Sequence, residues 1–197
     1  MRFFKFNHNN SQERQWARAT SVQPKSHQIA WQCSTCGRAA KYPSGIFDVT
    51  VEGGPLFPDF LGCGAYPFLI VSERVVRGWE QCGITSFRAI PVGITNGSGG
   101  HPGMLAPPKY YRIEVTGECR IDFTASGAVI KSICGRCGEM ETDVPYIKTY
   151  YILEGSWDGS PLFRDHRFFP MVTFCTAEAK DLALNEHYTN LRFQPVT

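Results

Sequence analysis

The sequence predicts an α+β fold built from two pseudo-repeated halves. Three observations predict it: matching segments recur in the same order in both halves, a Cys-x-x-Cys-Gly motif precedes each set, and each set combines β-prone segments with one short helix pattern. We therefore expect a single domain over residues 1–197, with two internal repeats at approximately 31–92 and 132–197. Residues 93–131 would form a linker and a β-meander between the repeats.

The repeats rest on three pairs of matching segments that are colinear along the chain. The members of a pair are separated by 101, 106 and 104 residues in turn. The pairs are Cys33-x-x-Cys36 with Cys134-x-x-Cys137, "GGPLF" (53–57) with "GSPLF" (159–163), and "TSFRAIPV" (85–92) with "TNLRFQPV" (189–196). Because the order is kept with only small changes in spacing, we interpret the halves as a duplication.

The strands follow from apolar alternation and β propensity. A first strand is expected at Arg2–Phe6, before a polar loop. Each half then has a β segment, at Ile46–Val51 in the first and at Ile147–Leu153 in the second. The short apolar runs "PFLIV" (67–71) and "PMVTFC" (170–175) indicate buried strands. Each half therefore brings at least two strands to a shared core.

A helix follows the buried strand in each half. Ser72 and Thr176 are the expected N-caps, and an acidic residue in the first turn of each helix suits the helix dipole. Gly83 suits the C′ position of the first helix, and the final strands are expected at Ser86–Val92 and Leu191–Val196. The residues expected to face the core are Val75, Val76 and Trp79 in the first helix and Ala179, Leu182 and Ala183 in the second.

The segment between the halves has two parts. "VGITNGSGGHPGMLAPPKYY" (92–111) is rich in Gly, Ser and Pro and is expected to be an exposed linker. "YYRIEVTGECRIDFTASGAVIKSIC" then alternates apolar and polar residues around two turn signals, which predicts a β-meander leading into the second cysteine motif.

Composition and charge bound the function. Apolar residues make up 43% of the chain and aromatic residues 13%, which is enough for a packed core. The net charge is +2 and no block of like charge occurs, so nothing favours a nucleic acid or a membrane surface as partner. No apolar run approaches the roughly 18 residues of a membrane span, and the N-terminal segment lacks the features of a signal peptide. We expect a cytoplasmic protein.

The paired cysteines predict a metal site. A Cys-x-x-Cys-Gly turn directs two sulfurs to one side, and its glycine permits the positive φ that closes the turn. A structural zinc ion needs four ligands, so two such turns complete one four-cysteine site, formed by Cys33, Cys36, Cys134 and Cys137. Redox-active dithiols are the alternative, but they need the motif at a helix N-terminus, and strand-like sequence follows both motifs here. One structural Zn²⁺ would then join the halves.

No catalytic or cofactor-binding residues are predicted. The sequence lacks the common nucleotide-binding, metalloprotease and serine-hydrolase motifs, and we expect that the protein is not an enzyme. A dyad of Cys175 with His166 or His187 is disfavoured because Cys175 lies in an apolar strand pattern. The same buried, packing role is expected for the other single cysteines, which are Cys63, Cys82 and Cys119.

The two Cys-x-x-Cys-Gly motifs, at 33–37 and 134–138, resemble those of the bacterial double-CXXCG motif family. "PPKYY" ahead of the β-meander, "WDGSPLFRDHRFFP" and the closing "LRFQPV" carry the same resemblance. Some members of that family are immunity proteins, so the resemblance implies a small cytoplasmic protein that binds and neutralises a cognate toxin domain. The alternative function is a zinc-ribbon protein that binds nucleic acid or acts as a regulator.

Overall fold

A computed structural model describes residues 2–8, 15–37, 39–62, 69–97, 106–137, 140–143, 149–165 and 172–196. Within these ranges the chain forms thirteen strands and two helices. In chain order they are β1 (Phe3–His8), β2 (Ala17–Gln32), β3 (Ala39–Gly53), β4 (Phe60–Leu61), β5 (Leu69–Ser72), α1 (Glu73–Gln81), β6 (Phe87–Asn96), β7 (Tyr110–Val115), β8 (Gly117–Glu118), β9 (Val129–Ile133), β10 (Met140–Asp143), β11 (Leu162–Arg164), β12 (Phe174–Thr176), α2 (Ala177–Asn185) and β13 (Leu191–Val196).

The predicted α+β class is wrong, because the described part of the chain is mostly β. Each helix has nine residues, whereas β2 alone has 16 and β3 has 15. The sequence pattern predicts no strand over most of β2, whose sequence mixes polar residues and a proline with β-branched ones. A long hairpin can hold such a sequence because each strand satisfies the backbone of the other.

The first sheet has six strands in the order β2-β3-β6-β7-β5-β4. The start of β2 also reaches the opposite edge, where the Ala17 and Ala19 amides donate to the carbonyl oxygens of Leu56 and Gly62, both at 2.8 Å. The sheet therefore curls nearly into a barrel. The apolar side chains buried in its interior are those of Ala17, Ala19, Phe47, Val49, Val51, Leu61, Ile70 and Tyr110.

The second sheet has five strands in the order β13-β1-β12-β11-β8. β1 lies between β12 and β13 and pairs antiparallel with both, so the predicted first strand is confirmed and belongs to the C-terminal sheet. A separate two-stranded sheet is formed by β9 and β10. Cys119, Ile121, Tyr150, Phe163, Phe174 and Val196 form the core on one side of the second sheet.

The largest hydrophobic cluster joins elements from both halves of the chain. It includes Phe6, Phe60, Trp79, Leu162 and Cys175, which come from five different elements. The predicted core residues of α1 and the two alanines of α2 are buried in this cluster, and Leu182 packs against it partly buried. Full burial of a side chain such as Val75 stabilises the fold by about 1.5–3 kcal/mol.

Both predicted helix starts are confirmed, but the two caps differ. The Thr176 Oγ1 accepts a hydrogen bond from the Ala179 amide at 3.4 Å, as an N-cap does. Ser72 makes no such bond, and its hydroxyl instead donates to Asp59 at 2.8 Å. Gly83 follows α1 with a φ of 76°, as the predicted C′ glycine requires.

Several strand predictions need correction. The β-meander is wrong, since β7 belongs to the first sheet, whereas β8 pairs parallel with β11 in the second. In the predicted strand Ile147–Leu153 the residues from 149 onward form no strand, and Ile152 makes one isolated bridge with Ile121. The predicted linker begins too early, because β6 runs on to Asn96. Residues 67–68, 98–105, 144–148 and 170–171 lie outside the described ranges.

Strands β1 and β7 occupy corresponding places in the two large sheets. The order β4-β5-β7-β6 in the first sheet matches β11-β12-β1-β13 in the second, and both central strands pair antiparallel with both neighbours. Each sheet therefore takes one strand from the other half of the chain. The duplication, with repeats at 31–92 and 132–197, stays a prediction. Within the described ranges, neither helix has the length and apolar character needed to cross a bilayer.

Candidate metal centre

Both cysteine motifs form the turns of hairpins. The first lies between β2 and β3, and the second lies between β9 and β10. In the first turn the Gly37 amide donates to the Cys33 carbonyl oxygen at 2.9 Å, and Gly37 has a φ of 70°. The glycine thus has the left-handed conformation that the sequence predicts. The matching glycine, Gly138, lies outside the described residues.

The two turns meet and bring the four predicted ligands together. The Sγ atoms of Cys33 and Cys134 are 3.8 Å apart, and so are those of Cys36 and Cys137. All four sulfurs lie within 4.8 Å of one another. Four sulfurs bound at about 2.3 Å to one tetrahedral ion lie about 3.8 Å apart. The cluster therefore has the dimensions needed to hold one metal ion.

The turns also favour ionised sulfurs. Backbone N–H groups of Cys36 and Thr35 lower the pKa of the Cys33 thiol to about 6. The N–H groups of Cys137 and Arg136 likewise lower the pKa of the Cys134 thiol. Thiolates are the species that bind metals, so these hydrogen bonds prepare the cluster for a cation.

The cluster lies at the protein surface. Cys33 is buried, Cys134 and Cys137 are half-buried, and Cys36 is exposed. If all four sulfurs are ligands, a tetrahedral ion keeps no position open for water or substrate. Such a site crosslinks the chain and does not activate a reactant. The flanking strands also separate both turns from a helix N-terminus, which is where a redox-active dithiol of the alternative kind would lie.

The remaining cysteines lie apart from this cluster where the structure describes them. Cys119 and Cys175 are buried in the core clusters, which confirms their predicted packing role. This burial raises the pKa of both thiols, that of Cys119 to about 12. Cys82 is exposed at the end of α1, so the packing prediction is wrong for it. Cys63 and His166 lie outside the described residues.

Asp59 is a second polar centre, and no motif in the sequence points to it directly. Its buried carboxylate accepts hydrogen bonds from the Ser72 hydroxyl at 2.8 Å, from the Arg74 guanidinium at 2.9 Å and from the Thr189 amide at 3.0 Å. Asp59 and Thr189 lie in different halves, so this centre links the halves without a metal. Its only sequence signal is the extension of "PLF" to "PLFPD", which "PLFRD" repeats around Asp165.

Comparison with the sequence models of known protein families gives no match, and no curated protein matches the sequence either. The resemblance to the double-CXXCG motif family therefore depends on the motifs quoted above.

Proposed function

We propose that the protein is a zinc-stabilised, cytoplasmic immunity protein that binds and neutralises a cognate bacterial toxin. The observation that carries the proposal is the convergence of two Cys-x-x-Cys-Gly turns into one four-sulfur cluster. The long gap between the motifs is the feature on which the family resemblance depends, and the cluster gives that gap a physical role.

The residues Cys33, Cys36, Cys134 and Cys137 would hold the Zn²⁺. When bound, the ion supplies a crosslink between the two hairpins. Neutralisation would then be stoichiometric: the protein covers a surface that the toxin needs, and it makes or breaks no covalent bond. Such binding depends on shape complementarity and a few well-packed anchors, which suits a chain with a net charge of +2 better than a mechanism based on charge alone.

Co-expression with neighbouring genes tests the proposal. An immunity gene is expected directly beside a toxin gene, so each adjacent reading frame is induced in a heterologous host with and without this protein. We expect one frame to arrest growth, this protein to restore it, and a 1:1 complex to elute in size-exclusion chromatography with light scattering. Restoration of growth without a stable complex would contradict stoichiometric binding.

Nucleic-acid binding is the second candidate, because Lys131 and Arg136 are exposed beside the cysteine cluster. Its signature is retention on a polyanion column that weakens steeply with added salt. Such retention at physiological ionic strength, with no toxic neighbour, would favour this candidate over the immunity function.

A further inference from the structure

The cysteine cluster joins two arms that extend away from the sheets. The first arm consists of residues 26–32 of β2 and 39–46 of β3, and the second arm consists of β9 and β10. β3 pairs with β6 only over Phe47–Val51, so among the described strands the outer part of β3 pairs with β2 alone. Each arm carries one cysteine motif at its tip.

The described side chains of the second arm, which are those of β9, lie outside the hydrophobic cores. Val129 and Ile133 are 62% and 60% exposed. The sheets are instead joined by the shared cluster around Trp79 and by the Asp59 centre. These links lie in elements other than the arms, so they do not need a metal ion.

We infer that the metal ion links the tips of the two arms, and that the two large sheets stay folded when the ion dissociates. The inference rests on the proposed zinc site. Without the ion, the tips meet through two sulfur–sulfur contacts of 3.8 Å, which are far weaker than the metal–thiolate bonds that would replace them. The second arm then opens locally, because the described side chains of β9 lie outside the core clusters and an opening that exposes little apolar surface has a low free energy. Metal occupancy would thus decide whether the arms form one rigid surface.

Limited proteolysis with trypsin tests this inference, because the chain has cleavage sites in both parts. Lys131 and Arg136 lie in the second arm, whereas Arg77 lies in α1 and Arg192 in β13. The full-length protein is compared with bound Zn²⁺, after removal of zinc by a chelator under reducing conditions, and after zinc is added back. Elemental analysis verifies the metal content of each sample.

We expect zinc removal to speed cleavage at Lys131 and Arg136 roughly tenfold or more, with restoration on adding zinc. Cleavage at Arg77 and Arg192 should stay slow, and the main thermal transition should move by less than about 5 °C. Cys134→Ser should behave like the chelated protein. Cys82→Ser, which removes an exposed cysteine outside the cluster, should behave like the zinc-bound protein.

Three outcomes would overturn the inference. Equal acceleration at all four sites means that the metal holds the whole fold, and unchanged cleavage after verified zinc loss means that other contacts hold the arms. In both cases the proposed zinc site survives. Purified protein that binds no zinc at all overturns the zinc site itself, and this inference with it.

Discussion

The two halves of the chain share the sequence Pro-Leu-Phe-x-Asp, and they use its buried aspartate differently. Asp59 in the first half accepts hydrogen bonds from Thr189 in the second, at 3.0 Å from the amide and 3.1 Å from the hydroxyl. Asp165 accepts one from the Ile121 amide of its own half at 3.0 Å. Similar sequence therefore does not imply the same contacts: Asp59 binds Thr189 of the other half, whereas the contact of Asp165 with Ile121 has no counterpart at Asp59 among the described residues.

The loops after the two helices are more nearly symmetric. After α1, the Ser86 hydroxyl accepts a hydrogen bond from the Leu162 amide at 3.0 Å. After α2, the Asn190 side chain donates to the Phe60 carbonyl oxygen at 2.7 Å. Each loop thus reaches a strand of the other half, so the halves are interlocked in both directions. The asymmetry lies mainly in the side chains that surround these contacts.

The largest expected effect comes from removing the joining aspartate. Asp59→Ala leaves the Ser72 hydroxyl and the Thr189 amide without this acceptor, whereas Arg74 keeps the Glu186 carbonyl oxygen. We expect the free energy of unfolding to fall by about 2–4 kcal/mol. Urea denaturation measures it. The control is Asp181→Ala, which removes an exposed carboxylate paired with Lys180 and should change stability by less than about 0.5 kcal/mol. A loss below about 1 kcal/mol for Asp59→Ala would mean that the halves are not joined at this centre.

A smaller loss of stability is expected at a position where the two helices carry different residues. Gly78 in α1 corresponds to Leu182 in α2, and an added Cβ at Gly78 would overlap the Oη of Tyr188. Tyr188 is buried and its hydroxyl has no hydrogen-bond partner among the described residues. We expect Gly78→Ala to cost about 1–3 kcal/mol in thermal or urea denaturation, although alanine favours helix.

The matched background is Tyr188→Phe, which removes the obstructing oxygen. The next nearest atom to the added Cβ is Tyr188 Cζ, at 3.4 Å. In the Tyr188→Phe protein, Gly78→Ala should therefore be neutral or stabilise the fold by up to about 1 kcal/mol. If the cost persists without the hydroxyl, the close approach does not explain the glycine.

Strands β7 and β1, which occupy corresponding places in the two large sheets, carry basic residues at corresponding positions. Arg112 of β7 lies opposite Ile70, and its guanidinium carbon is 4.4 Å from the centre of the Phe47 ring. Lys5 of β1 lies opposite Phe174, and its Nζ is 5.0 Å from the centre of the Tyr150 ring. The Arg112 Nη2 is 2.7 Å from Glu114, but within the described part of the chain that nitrogen and Nε make no well-directed hydrogen bond.

Replacing the buried arginine should therefore stabilise the first sheet. We expect Arg112→Met to raise the free energy of unfolding by about 1 kcal/mol, since a methionine of similar length avoids the desolvation of a buried charge. Urea denaturation measures the change, with Arg77→Met on the exposed face of α1 as the control. A loss above about 2 kcal/mol would show that the contacts with Phe47 and Glu114 outweigh the desolvation.

The smallest expected effect is a pH dependence at the corresponding lysine. Burial lowers the pKa of Lys5 below its ordinary 10.5. Between the folded pKa and 10.5 the unfolded chain binds more protons, so the wild-type protein gains stability as the pH rises through this window. The melting temperature of wild type relative to Lys5→Met should therefore increase between pH 8 and about 10.5. A difference that stays constant or decreases would contradict a desolvated lysine.

The sequence allows the local features to be predicted, because local residues determine them. The cap at Thr176, the C′ glycine at Gly83 and the apolar face of α1 depend on residues within one or two helical turns. The cysteine turns are also predictable, since their spacing is a property of a few residues and four sulfurs are what one ion requires.

The arrangement of the sheets cannot be predicted in the same way. The place of β1 between β12 and β13 depends on pairing over more than 160 residues, for which no local pattern exists. The Asp59 centre escapes prediction for the same reason, because its partner Thr189 is 130 residues away. The predicted α+β class is wrong because β2 contains many polar residues, so its sequence pattern does not indicate a strand. Its backbone is nevertheless hydrogen-bonded by its hairpin partner β3.

The position of β1 has a consequence for biosynthesis. β1 is synthesised more than 160 residues before both of its neighbours, β12 and β13. Phe3, Phe4 and Phe6 therefore lack their partner strands until β12 and β13 have been synthesised. Nascent chains should therefore bind hydrophobic-patch chaperones until residue 196 emerges, and deletion of β13 should prolong that association.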